Sequence, residues 1–166
     1  MSNTVRKVHT LKVADEVFLV VAILHKENPD QVDFSVQEIL DKADLLLLSG
    51  KIRPGIQIHV RQHCVANKAP NPGNYRMLFE TGKSRRRLIL KSDPVHIQRS
   101  GKIFPDLKDV APEFIPLIEW AMHRYDSSDE RESFYDKLLA LVGSGKHIWA
   151  DEHADEYVAR LRSDWD

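Results

Sequence analysis

The apolar residues of this chain keep a helical period up to Asn71-Pro72-Gly73-Asn74 and a two-residue period just beyond it. From Pro112 the period is helical again. This change of period limits the accessible folds more than any other feature. Val17, Val20, Val21 and Leu24 predict a buried first helix over Ala14–Lys26, stopped by Asn28-Pro29-Asp30. Ser35-Val36-Gln37-Glu38 has the form of a capping box, with Phe34 and Ile39 where a hydrophobic staple would sit. It opens a second helix that ends near Leu45–Leu48. Pro54-Gly55 introduces a third, over Ile56–Ala66. Ile56, Val60, His63 and Cys64 fall on one of its faces, and Gln57, Arg61 and Lys68 on another, with Gln62 beside them.

Beyond the break, Tyr75, Met77 and Phe79 alternate with Arg76, Leu78 and Glu80. Gly82-Lys83-Ser84 is a turn signal, and Arg85–Lys91 returns as a second strand. Asp126–Glu130 reads as a linker after a helix over Pro112–Tyr125, whose inward residues are Phe114, Leu117, Ile118, Ala121 and Met122. The expected class is α+β, mostly α. Three helices plus a basic β-hairpin form a winged helix-turn-helix domain over 1–125, and C-terminal amphipathic helices follow over 126–166. In the tail, Phe134, Tyr135, Leu138, Leu139, Leu141 and Val142 form one stripe, while Tyr157, Leu161 and Trp165 form another at i, i+4, i+8.

Charge is as segmented as period. Residues 51–91 hold ten Lys/Arg and the single acid Glu80, a formal +9, in a chain whose net charge is −1. Residues 126–166 carry −6. A basic centre on the third helix and the hairpin points to a polyanion, and the order of elements narrows that to double-stranded DNA. In this reading Gln57, Arg61, Gln62 and Lys68 are candidates for base readout, and Lys83, Arg85, Arg86 and Arg87 for phosphate contact. Arg86 points opposite to Arg85 and Arg87 in a strand, so the three need not act together.

Other chemistries fit less well. Thr81-Gly82-Lys83-Ser84 and Gly143-Ser144-Gly145-Lys146 suggest phosphate loops, but Met77 and Ala140 stand where the first glycine is required. His59, His63 and Cys64 fall short of the four ligands of a zinc site, and Cys64 has no orienting partner as a nucleophile. No catalytic residue, metal or cofactor is expected. No apolar run is long enough for a membrane helix. The lone Cys64 and the absence of a secretory pattern at Met1-Ser2-Asn3-Thr4 predict a cytoplasmic protein.

Two resemblances add to this reading. Residues from about 14 to 125 resemble a bacterial winged-helix-like family found alone or beside restriction-type and HNH nuclease modules. Pro54-Gly55, His59, His63-Cys64-Val65-Ala66-Asn67-Lys68, Asn71-Pro72-Gly73, Tyr75-Arg76-Met77-Leu78 and Gly101-Lys102 carry that likeness. The final stretch resembles the C-terminal tails of VapB-class antitoxins, which pair with PIN-domain ribonucleases. Leu138-Leu139, Gly143-Ser144-Gly145-Lys146, Trp149-Ala150-Asp151-Glu152-His153-Ala154-Asp155-Glu156-Tyr157-Val158, Arg160-Leu161-Arg162 and Trp165 are the matching residues.

Together the resemblances imply a type II antitoxin that represses its own operon and neutralises a PIN-domain toxin. Trp149, Tyr157, Leu161 and Trp165 would anchor the tail, and Arg160 and Arg162 would enter the toxin's carboxylate cluster. A homodimer is left open. The alternative is an accessory DNA-binding module of a restriction or defence nuclease.

Overall fold

The computed structural model describes residues 11–127. The chain divides into two units, Met1–Ser128 and Asp129–Asp166, and the described residues belong to the first. They form a mostly helical α+β fold with a small open antiparallel sheet. The order is α1 (Val13–Glu27), β1 (Phe34–Ser35), α2 (Val36–Leu46), α3 (Gly55–Ile58), β2 (Leu78–Gly82) and β3 (Arg85–Leu88). Two 3₁₀ turns, Leu107–Asp109 and Pro112–Phe114, lead into α4, helical over 115–127.

α1 is the centre of the described unit. Its apolar run Val17–Ala22 is buried on every side, so it sits among the other elements as a pillar. Two acids in its first turn, Asp15 and Glu16, are also buried. They favour the positive end of the helix, and each meets a cation from a loop. Lys102 Nζ lies 2.7 Å from Asp15, and Arg53 Nη1 lies 3.0 Å from Glu16. At the other end His25 is buried edge-on against Phe34. Its Nε2 accepts the Leu88 amide at 3.3 Å. Asn28 closes the helix by donating both its backbone and side-chain N–H to Leu24 O.

The capping box at the start of α2 is present in both directions. Glu38 N donates to Ser35 Oγ at 3.1 Å, and Ser35 N donates to Glu38 Oε2 at 2.6 Å. Phe34 and Ile39 are both buried, as a staple requires. The helix ends at Leu47, which takes the left-handed conformation (φ 45°).

The expected third helix is α-helical for one turn only. From His59 to His63 it widens into a π turn, in which Cys64 N donates to His59 O at 3.0 Å. The wider turn leads into Cys64-Val65-Ala66, all fully buried, and Cys64 O there accepts the amides of Met77 and Leu78. A π insertion of this kind is rare and leaves no mark on apolar periodicity.

The hairpin is where it was expected, but shorter. β2 starts at Leu78, not Tyr75, because Met77 and Leu78 are both buried and the alternation fails there. β3 ends at Leu88, since Leu88 and Ile89 are both buried in turn. A third strand, β1, was not anticipated. The sheet order is β1-β3-β2, so β3 pairs on both edges. In α4, Ile118 and Ala121 face the core, whereas Met122 is 40% exposed, contrary to its expected inward position.

Residues 74–76 and 100–102 lie backbone to backbone. Gly101 N donates to Asn74 O at 2.8 Å, Arg76 N to Lys102 O at 3.0 Å, and Arg76 Nε to Gly101 O at 2.7 Å. A Cβ on Gly101 would stand 2.1 Å from Asn74 O. Gly101→Ala is therefore expected to lose about 1–3 kcal/mol through forced separation of these segments. Urea titration checks this, and an unchanged midpoint would contradict it.

Candidate nucleic-acid interface

The face to which the sequence assigned DNA begins on α3. Ile56 and Val60 are buried and set the rotation of the helix. Gln57, Ile58 and Arg61 consequently face outward and are exposed. Gln62 is half-buried. Lys68 lies further on and is tied to Glu80, with Nζ–Oε2 at 2.6 Å.

The hairpin arginines differ from one another. Arg85 is held by Asp33, which accepts Nε at 2.7 Å while also accepting Thr81 Oγ1 at 2.6 Å. These hydrogen bonds hold the Asp33 carboxyl below its ordinary range, Arg85 contributing most. Arg87 makes a bidentate pair with Asp93, at 2.6 and 2.7 Å, and lies over the Phe79 ring. Arg86 points the other way, as strand alternation requires, and is 2% exposed. Its guanidinium donates to Val60 O, Arg85 O and Arg61 O, with Glu80 at 3.4 Å. Burial pulls its pKa down, and Glu80 opposes that. Lys83 is exposed at the turn, beside Ser84 in the left-handed region (φ 57°).

Much of the +9 is therefore spent inside the molecule. Among the described residues, Gln57, Arg61, Gln62 and Lys83 are the sequence-assigned contacts whose side chains have no hydrogen-bond or ion-pair partner, and of these Gln62 is half-buried. Arg85 and Lys68 are paired yet keep 43% and 41% of their side chains exposed. No acid lies between Lys51 and Phe79, so the α3 surface carries no carboxylate of its own to repel a phosphate.

One residue went unnoticed in the sequence. Arg99 is 5% exposed, and among the described residues it has no ion-pair partner. Its five N–H groups donate to the carbonyls of Lys68, His63, Tyr75, Gln62 and Ala69, at 2.7–3.3 Å. Burial lowers its pKa. With Arg86 it satisfies four successive carbonyls, Val60 to His63, at the C-terminal end of the third helix. A lone arginine in a turn-rich stretch has no sequence signal that would reveal this.

The histidines beneath this face pack together. His59 and His63 stand edge-to-face with centroids 4.7 Å apart, and Tyr75 is 6.1 Å from His59. His59 Nδ1 is 2.8 Å from Gly55 O. A carbonyl only accepts, so Nδ1 carries the proton. Burial lowers the His59 pKa. Cys64 is fully buried, and burial pushes its thiol far above the ordinary range. Among the described residues, no group of three or more His, Cys, Asp or Glu side chains could hold a metal ion. No described helix is long and apolar enough to cross a membrane.

Trp149, Tyr157, Arg160, Leu161, Arg162 and Trp165, the expected partner-binding residues, lie outside the described residues. Compared with protein-family models, with curated proteins and with solved structures, the chain matches none.

Proposed function

We propose that the described unit is a winged helix that holds duplex DNA, with α3 in the major groove and the β2–β3 hairpin as the wing. The order of elements carries this reading: α1-β1-α2-α3-β2-β3, with a β1-β3-β2 sheet. A winged helix-turn-helix is threaded in the same order, which supports the reading. Arg61 and Lys83, one on each element, supply cations for the backbone phosphates.

The whole chain is then an antitoxin. Its head represses the operon, and its tail, through Trp149, Tyr157, Arg160, Leu161, Arg162 and Trp165, neutralises a PIN-type ribonuclease. The likeness of residues 138–165 to antitoxin tails supports this second half. Recovery of a PIN-type ribonuclease with the chain from its native host would uphold it. A restriction nuclease recovered in its place would assign the chain to that system instead.

The DNA half is tested by fluorescence anisotropy on duplex DNA across a salt series. Arg61→Glu with Lys83→Glu is expected to weaken binding at least tenfold and to reduce the salt slope by about two. Both side chains are exposed, so the fold should survive. Unchanged affinity in the double variant would remove the DNA reading from this face.

A further inference from the structure

Within the DNA-binding reading, on which this rests, we infer that the third helix is sequence-selective: Arg61 reads a guanine, Gln57 an adenine, and Ile58 packs on a thymine methyl group between them. The buried pair Ile56 and Val60 fixes the helix rotation, so Gln57, Ile58 and Arg61 form the outward ridge. Ile58 keeps 41% of its surface exposed, an apolar contact with no cover on the protein side.

Chemistry divides the ridge from its neighbours. A Gln amide matches the N6 and N7 edge of adenine, and an Arg fork matches O6 and N7 of guanine. Both groups need free donors to do so. Gln57 and Arg61 have them, whereas Lys68, Arg85 and Arg87 are engaged by Glu80, Asp33 and Asp93. Spacing agrees as well. Gln57 and Arg61 lie about one turn apart along the third helix, a rise on the order of 5 Å, and base pairs stack about 3.4 Å apart, so the two side chains reach edges up to about two steps apart. The Arg61 backbone is itself fixed, since its carbonyl accepts Arg86 Nη2 at 3.3 Å. A readout residue on an anchored backbone loses little conformational freedom when it binds.

The experiment is selection of duplexes from a random pool by the full chain, followed by titration of variants on the selected sequence and its single-base changes. The wild type is expected to return a guanine and an adenine about two positions apart. Arg61→Lys keeps the charge, so the salt slope should hold while discrimination at the guanine falls roughly tenfold. Gln57→Ala should relax the adenine column alone, and Ile58→Ala the thymine. If the wild type binds duplexes without preference, or if the variants leave all columns unchanged, the inference fails and the DNA-binding reading stands. If the wild type binds no duplex at all, both fail.

Discussion

Arg99→Met is expected to lower the stability of the described unit by about 3–5 kcal/mol, the range reached when a buried charged donor is taken from several acceptors. Met approximates the length and apolar bulk of the stem but supplies no N–H. Of the five carbonyls that Arg99 holds, those of Gln62 and His63 would keep only the amides of Val65 and Tyr75, and those of Lys68, Ala69 and Tyr75 would face a buried site without their donor. Three of these belong to loop residues that no helix or strand supports. Arg99→Lys should recover little, because a single ammonium has three donors and no planar fork. Urea unfolding followed by far-UV circular dichroism measures the loss. A change below about 1 kcal/mol would mean that water replaces the guanidinium, and the cluster would then be a minor contributor.

The second large effect is acid sensitivity centred on His25. Burial pushes its pKa from 6.5 down to about 3, and the positive charges of Arg124 and Arg87 push in the same direction. The folded form therefore binds this proton less readily than the unfolded chain does. Its contribution to stability is complete above pH 6.5 and is lost progressively as pH falls towards 3. Each pH unit in that window removes about 1.4 kcal/mol, or roughly 2–3 kcal/mol by pH 4.5. His25→Gln retains an acceptor for the Leu88 amide and cannot titrate. Carboxylates also protonate near pH 4.5, so the comparison is between wild type and variant at each pH. The wild type should lose stability more steeply. Parallel curves would show that His25 charges freely in the folded protein.

The sequence was most legible where one local rule decides the outcome. Ser35 and Glu38 satisfy each other within one turn, so the start of α2 could be read directly. The hairpin turn at Gly82-Lys83-Ser84 was equally local. β1 was invisible because a two-residue strand exists only through its partner, with Phe34 opposite Arg86. The π turn was invisible because its cause is tertiary: it leads into Cys64-Val65-Ala66, which meets residues 77 and 78. The charge count was correct as arithmetic, but it could not say which cations are engaged. Asp33 is fifty-two residues from Arg85, and no pattern along the chain links them. The candidate face thus emerged in outline, with Gln57, Arg61 and Lys83 outward, while the anchoring role of Arg86 and Arg99 needed three dimensions.

The β1-β3-β2 order also dictates a sequence of events during synthesis. β1 has no strand neighbour until β3 is made, about fifty residues later. At typical ribosomal speed that interval lasts on the order of 2–10 s. Throughout it α1 is already complete, with an apolar surface whose cover from β3 and α4 has yet to be translated. A nascent chain paused in this interval presents a greasy helix and an unpaired strand stub together. The central position of the last strand thus makes completion of the fold a late event of translation.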